Sequence, residues 1–244
     1  MNDFISRLTE AERNQNSPNV RPKDAATLIL IDRKGKLPRV LMGRRHPNIK
    51  FMPNMFVFPG GRMERTDRTM PAHGVVDADS TRRLMMKVQR PSESRARGLG
   101  AAAIRELYEE TGLLLGIRDC GAPAAPCDAW RVFEEREVFP NLEALTYVAR
   151  AITPPRRPKR FDTRFFAADA EAVCDEVPGL VGEDSELIEL RWLTFEETKA
   201  LELPTVTRVM LEEVEQRIAA GFHRRLPVPF YAMHRGKFSR DLLD

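Results

Sequence analysis

Residues 101–113, with the sequence AAAIRELYEETGL, constrain this chain more than any other segment. On a helix, Glu106, Glu109 and Glu110 occupy positions i, i+3 and i+4 and share roughly a quarter of the circumference. Carboxylates this close repel one another, and a divalent cation with a preference for oxygen ligands, such as Mg²⁺ or Mn²⁺, would relieve the repulsion. The segment therefore predicts a metal-binding helix. The alternative is a solvated acidic face on which Arg105 and Glu109 form an ordinary ion pair.

A glycine pair precedes this helix in the sequence FPGG at residues 58–61. Together the two segments resemble the Nudix hydrolase family, whose signature is G-x5-E-x7-R-E-U-x-E-E-x-G-U, where U is aliphatic. The second half of the signature matches at every specified position from Arg105 to Leu113. The first half departs from it, because Asp67 stands where the signature has Glu and Arg105 comes roughly 30 residues late.

The polar segment 68–98 contains several Pro and Gly residues and is interpreted as an insertion inside the signature. Some enzymes that resemble coenzyme A diphosphatases tolerate insertions at this place. The first acidic position of the signature stays open: Glu64, Asp67 or Glu93 could fill it, or no residue does.

The resemblance implies a hydrolase that uses Mg²⁺ or Mn²⁺ to cleave the diphosphate of a nucleoside diphosphate derivative. It implies Glu109 and Glu110 as the principal metal ligands, Glu106 as a ligand or as the base that activates water, and Arg105 as a group that positions a carboxylate. A further acidic residue is expected in the loop 182–186, where the choice falls first on Glu183 and then on Glu186, and the alternative is a plain acidic loop.

Substrate contacts are predicted from an upstream segment that half-matches the motif of the coenzyme A diphosphatases. Arg45, Lys50 and residues 58–61 match it, whereas Gly43, His46 and Asn54 do not. Two further arginines would share one face of a strand at 161–166 and could approach a phosphate. The predicted substrate-binding residues are Arg45, Lys50, Gly60, Gly61, Arg160 and Arg164.

These features favour coenzyme A or an acyl-CoA as substrate, with ADP-ribose or a nucleotide sugar as the alternative. A non-catalytic module that senses a nucleotide is the rival from another class. The intact Arg105, Glu106, Glu109 and Glu110 argue against that rival, because a retired site has no need for carboxylates that repel one another.

Composition excludes several other classes. The 244 residues carry a net charge of +3, and the basic run 156–160 has no aromatic residues spaced to stack on bases, so no nucleic-acid partner is expected. The three cysteines form no CxxC pair, which argues against a disulfide framework or a zinc site and fits a cytoplasmic location. No apolar run of 18 residues occurs, so no membrane association is expected, and a homodimer stays open.

Hydrophobic patterning predicts a mixed β-sheet flanked by helices, an α/β fold. The resemblance implies the same arrangement, an α/β/α sandwich in a single domain. Gly112 is expected to end the metal-binding helix and Thr194 to cap a later one. The predicted divisions are an N-terminal arm (1–23), a Nudix domain (24–202, with the insertion at about 68–98) and a C-terminal helical extension (203–244).

Overall fold

The computed structural model describes residues 2–11, 16–50, 52–118 and 120–244. Its α-helices are α1 (Asn2–Glu10), α2 (Ala78–Leu84), α3 (Glu93–Thr111), α4 (Arg131–Glu135), α5 (Phe195–Thr198) and α6 (Thr205–Ala219). Its strands are β1 (Lys23–Asp32), β2 (Arg39–Arg45), β3 (Phe56–Val57), β4 (Gly60–Arg62), β5 (Leu113–Ile117), β6 (Phe139–Pro140), β7 (Thr146–Ile152), β8 (Phe161–Asp169), β9 (Val173–Glu176), β10 (Leu187–Thr194), β11 (Val228–His234) and β12 (Lys237–Leu243). None of the described helices combines the length and apolar character needed to cross a lipid bilayer.

A mixed sheet forms the centre of the molecule, with the strand order β10-β2-β1-β8-β7-β11-β12. Strands β3 and β4 pair with β2 and β1 respectively. The pairs β1–β8 and β7–β11 are parallel, and the other pairs of this sheet are antiparallel. A smaller sheet of order β6-β5-β9 follows α3. The predicted mixed sheet is confirmed.

Helices cover both faces of the main sheet, and the alternation of side chains along β1 shows why. Leu28 and Leu30 pack with α3 in one hydrophobic core, whereas Ile29 and Ile31 pack with α1 and α6 in a second core. All four side chains are almost completely buried, as expected for a central strand that is covered on both sides. The α/β/α layering predicted from the sequence is therefore confirmed.

Helix α3 has well-defined ends that place its carboxylates. Ser92 caps the start, where its hydroxyl accepts a hydrogen bond of 3.2 Å from the backbone N–H of Arg95. Gly112 ends the helix with φ of 80°, and its N–H donates to the Tyr108 carbonyl oxygen at 2.8 Å. A left-handed residue at this position is the usual reason for glycine after a helix. The predictions for Gly112 and for the cap at Thr194 are confirmed.

The segment between the two halves of the signature is shorter than predicted and packs against the C-terminal part of the chain. Because α3 already begins at Glu93, residues 93–98 belong to the helix and not to the insertion. Arg83 donates from Nη1 to the Arg224 carbonyl oxygen at 2.8 Å, and Lys87 forms an ion pair with Asp241. The insertion thus covers one end of the fold instead of extending into solvent.

The structure corrects the description of residues 203–244 as a helical extension. Helix α6 is present as predicted, but β11 and β12 follow it as a hairpin that joins the main sheet. Tyr231 lies opposite Ala151 in the parallel β7–β11 pair. The pairing of β11 with β7 buries Phe230 and Tyr231 and covers a sheet edge that would otherwise be unpaired. This stabilisation depends on residues that are far apart in the sequence.

Candidate active site

The turn between β3 and β4 lies against the acidic face of α3. The Gly60 N–H donates to Glu110 Oε2 at 3.2 Å, and Glu110 is buried. A Cβ added to Gly61 would lie 2.4 Å from Glu106 Oε2, which is closer than real Cβ contacts come. Glycine at residue 61 therefore permits the strand and the helix carboxylate to approach each other.

Arg105 organises Glu106 and its neighbour Glu109 from inside the protein. Its Nη1 donates to Glu106 Oε1 at 2.9 Å and to Glu109 Oε2 at 2.6 Å. Its Nε and Nη2 donate to the two oxygens of Asp67 at 2.8 and 3.1 Å. Burial opposes the charge of Arg105, but the hydrogen bonds with Asp67 and the nearby acidic charges outweigh it and raise the pKa of the guanidinium. Arg105 thus joins the two α3 carboxylates to Asp67.

Three residues were candidates for the first acidic position of the signature, and Asp67 is the one that belongs to the Arg105 network. It is fully buried and also accepts hydrogen bonds from Trp130 Nε1 at 3.2 Å and from the Glu64 N–H at 2.7 Å. Glu64 and Glu93 are both exposed. The spacing of six residues after Gly61 pointed to Asp67, but no sequence signal indicated Trp130, which lies 63 residues further along the chain.

Burial and mutual repulsion perturb the carboxylates of α3. Burial raises the pKa of Glu106 to about 7, with Arg105 opposing the shift and Glu109 adding to it. Burial also raises the pKa of Glu110 well above its ordinary value, and the charges of Glu186 and Glu106 raise it further. The cluster therefore lacks enough positive charge to compensate the two carboxylates, and the pKa values of both are raised.

The loop before β10 contributes Glu186 to this environment. Glu186 forms an ion pair of 2.9 Å with Arg45, and both charges act on Glu110. Glu183, which the sequence favoured over Glu186, is exposed in the same loop. Glu186 is exposed as well, but its charge is the one that acts on Glu110, which favours Glu186 over Glu183 as the acidic residue of this loop.

A cleft of about 440 Å³ between the main sheet and the elements at the two ends of the chain reaches Gly60, whose N–H donates a hydrogen bond to Glu110. Thr27, Arg45 and Gly60 are among its polar and glycine lining residues, and Phe165, Leu203 and Phe238 are among its apolar ones. A cleft of this size that adjoins charged groups is typical of a small-molecule site. Two of the predicted substrate-binding residues, Arg45 and Gly60, thus lie on its wall.

The structure does not bring the other predicted cations to this cleft. Lys50 is exposed on the loop after β2. Arg160 is held by the Asn19 side chain and the Val20 carbonyl oxygen, at 2.8 and 2.7 Å. Arg164 is fully buried on the face of β8 that packs toward α3, where Asp24 and Asp162 surround it. The strand pattern predicted positions on a face but could not tell that this face is an interior one.

Known proteins are similar to this chain in sequence and in fold. A curated Caenorhabditis elegans protein named "Putative nudix hydrolase 7" is 28% identical over 181 residues, which cover 70% of this chain and 51% of that protein. The crystal structure of a NUDIX hydrolase from Alicyclobacillus acidocaldarius matches 79% of this chain and 90% of its own, with 26% identity and a TM-score of 0.57. The chain is thus similar to Nudix hydrolases in both sequence and fold, and the resemblance stated from the sequence is confirmed.

No protein-family model matches the chain, and the chain spans about half the length of the curated Nudix relative that it matches. The NUDIX domain of Shewanella oneidensis NrtR, crystallised with ADP ribose, matches 87% of this chain and 97% of its own with a TM-score of 0.44 and 12% identity. That likeness is too distant to inform the substrate.

Nudix hydrolases generally use divalent metal ions, and the donor set here fits such an ion. Glu106, Glu109 and Glu110 supply hard oxygen atoms, and the raised pKa values of all three show that added positive charge would stabilise them. Within the described residues, no three acidic, His or Cys side chains already form a complete ligand set. Mg²⁺ in proteins commonly takes one or two carboxylates and completes its shell with water and phosphate oxygens.

The contact between Gly61 and Glu106 yields a direct test. Gly61→Ala is expected to lower kcat of a Nudix reaction by about 10²-fold, because the new methyl group would displace the Glu106 carboxylate by about 1 Å. Gly182→Ala is the matched control, since no heavy atom lies within 4 Å of the added Cβ. Steady-state kinetics of both variants measure the effect, and equal rates for the two would contradict the geometry.

Proposed function

We propose that this protein is a divalent-metal-dependent hydrolase that cleaves the diphosphate of a nucleoside diphosphate derivative, with coenzyme A or an acyl-CoA favoured. The observation that carries the proposal is the close packing of Glu106 and the buried Glu110 against the Gly60–Gly61 turn, which a cleft reaches at Gly60. A bound divalent cation would neutralise charge on the diphosphate and acidify a water molecule.

The residues of the chain supply the positioning for this reaction. Glu109 and Glu110 are proposed as the principal metal ligands, and Glu106 as a ligand or as the base that accepts the proton of the attacking water. Arg105 fixes the Glu106 and Glu109 carboxylates through Nη1, so that they do not need to reorganise during the reaction. Water attacks one phosphorus, the P–O bond to the bridging oxygen breaks, and two phosphorylated products leave.

The same network argues against a non-catalytic sensor. A binding module has no use for Glu106 and Glu110 held without full charge compensation, since burial of such groups is costly. A sensor would be expected to replace at least one of them by an apolar side chain. The Nudix relationship together with this retained cluster favours an enzyme.

Coenzyme A is favoured over ADP-ribose on two grounds. The segment from Arg45 to the Gly60–Gly61 turn half-matches the motif of coenzyme A diphosphatases. The cleft beside that turn is largely apolar, with Phe165 and Leu203 among its lining residues, and suits a long uncharged arm better than a second ribose. Arg45, on the cleft wall, is proposed to contact a phosphate. A cytoplasmic location and a homodimer stay predictions.

A panel of diphosphates tests the proposal. Coenzyme A, an acyl-CoA, ADP-ribose and a nucleotide sugar would each be incubated with the protein and Mg²⁺ or Mn²⁺, and the products identified by mass. We expect coenzyme A to yield 4′-phosphopantetheine and adenosine 3′,5′-bisphosphate. Faster cleavage of ADP-ribose would contradict coenzyme A as the substrate but would still support the proposed type of reaction. No cleavage of any compound, combined with ligand-induced thermal stabilisation, would establish the sensor instead.

A further inference from the structure

A second cluster of charged side chains lies inside the protein, at the end of α3 opposite to the catalytic carboxylates. Arg95, which begins this cluster, is eleven residues before Glu106, a distance of about 16 Å along the helix. The cluster joins α3 to the strands β1, β7 and β8. Its members are Asp24, Arg95, Tyr147, Arg150, Asp162 and Arg164.

Four of these side chains form two closed ion pairs. Arg95 donates from Nε and Nη2 to both oxygens of Asp24 at 2.7 Å each. Arg150 donates in the same bidentate way to Asp162, at 2.8 and 2.7 Å. The negative charge of each aspartate is thus already neutralised by one arginine, without any contribution from Arg164.

Arg164 is the third guanidinium in a cluster with only two carboxylates. Its Nη1 donates to Asp24 Oδ1 at 2.9 Å and to the Asp162 carbonyl oxygen at 2.7 Å. The cluster therefore carries one positive charge in excess. Burial lowers the pKa of Arg164, and the charge of Arg150 lowers it further, which shows that its surroundings compensate the charge incompletely.

The opposite edge of the Arg164 guanidinium has no partner among the residues that the structure describes. Its Nε and Nη2 are buried without a hydrogen bond, and the hydroxyl of the buried Tyr147 is equally unpartnered. Tyr147 and Arg164 interact electrostatically, so the two groups are neighbours. Buried donors without acceptors cost about 1–3 kcal/mol each and more when charged, so native proteins supply a partner for them.

We propose that this cluster binds one small monovalent anion of the size of chloride, held by the Nε–H and Nη2–H groups of Arg164 and by the Tyr147 hydroxyl. The unmatched positive charge and the surplus of donors favour an anion over water, because water would satisfy the donors but leave the charge uncompensated. The proposal is independent of the catalytic function.

The anion would stabilise the attachment of the insertion. Arg150 donates from Nη1 to the Met86 carbonyl oxygen at 3.0 Å, and Arg95 donates from Nη1 to the Gln89 carbonyl oxygen at 2.9 Å. Both arginines belong to the cluster around Arg164, so compensation of its excess charge would stabilise the groups that hold the end of the insertion. We therefore expect anion binding to raise the stability of the folded chain.

Thermal unfolding in matched sodium salts tests the site. At 200 mM salt, we expect the Tm of the wild-type chain to be about 2–4 °C higher in chloride or bromide than in gluconate. Gluconate serves as the reference because this anion is too large for the site. Arg164→Met should abolish this difference while both closed ion pairs remain, and Tyr147→Phe should reduce it. Arg33→Met, which removes a surface arginine, is the control and should keep the full difference.

A crystallographic measurement does not depend on any variant. Crystals of the wild-type chain soaked in bromide should show an anomalous peak within about 3.5 Å of Arg164 Nε and Nη2. Density without anomalous signal at this place would identify water and overturn the proposal. An equal salt effect in the wild-type chain and in Arg164→Met would overturn it as well, because it would reflect the solvent and not the site.

Discussion

Glu110→Gln is expected to lower the metal-dependent turnover of a diphosphate substrate by at least about 10³-fold. Glutamine keeps the shape of the side chain and can still accept the Gly60 N–H, but it removes the negative charge proposed to bind the metal. The Tm of the metal-free variant should stay within a few degrees of wild type or rise, because the substitution removes a buried charge that lacks compensation.

The matched control is Glu93→Gln on the same helix. Glu93 is exposed in the first turn of α3, remote from the Gly60–Gly61 turn, so its neutralisation should leave turnover unchanged. Mn²⁺ should raise the Tm of the wild-type chain and of Glu93→Gln but not of Glu110→Gln. Near-wild-type turnover in Glu110→Gln would contradict the assignment of Glu110 as a metal ligand for any substrate.

The largest stability effect is expected for Arg105→Met. The substitution leaves the fully buried Asp67 carboxylate without its two charged hydrogen bonds and should cost about 3–5 kcal/mol. For a chain of this size, that loss corresponds to a fall in Tm of roughly 6–20 °C. Turnover of the folded fraction should also fall, since Glu106 and Glu109 lose the group that holds them.

A double-mutant cycle separates this network from a general packing defect. Asp67→Asn removes the buried charge and retains the size of the side chain. The double variant should therefore lose much less free energy of unfolding than the sum of the losses in the two single variants. Arg131→Met is the surface control: Arg131 pairs with Asp128 in solvent and should change stability by less than about 0.5 kcal/mol. Additive effects of Arg105→Met and Asp67→Asn in urea unfolding would contradict the coupling.

Local sequence patterns predicted the elements that carry the chemistry. The spacing of Glu106, Glu109 and Glu110 could be read directly, because a helix places residues three and four apart on one face whatever surrounds it. Gly112 was identifiable as the helix end for a similarly local reason, since the turn there requires a left-handed residue. The fold class followed from the alternation of apolar strands and helices.

Three features of the site could not be predicted locally. The choice among Glu64, Asp67 and Glu93 depended on which of them reaches Arg105 across the fold, and Trp130 joined the network from a distant turn. The order of Glu183 and Glu186 depended on the pairing of β10 with β2, which brings Glu186 to Arg45. Each of these contacts joins residues from separate elements, so their spacing in sequence carries no information about the distance between them.

The sequence by itself determined the resemblance to Nudix hydrolases, the layered fold and the acidic helix, because these depend on the periodicity and spacing of neighbouring residues. Only the tertiary structure decided which charges are buried and which partners they meet. Arg164 illustrates the difference: its strand position was predictable, but its place in the interior depends on β8 being covered by α3. Burial is a property of the packed layers, and it determines whether an arginine can contact a substrate or instead becomes part of an internal charge cluster.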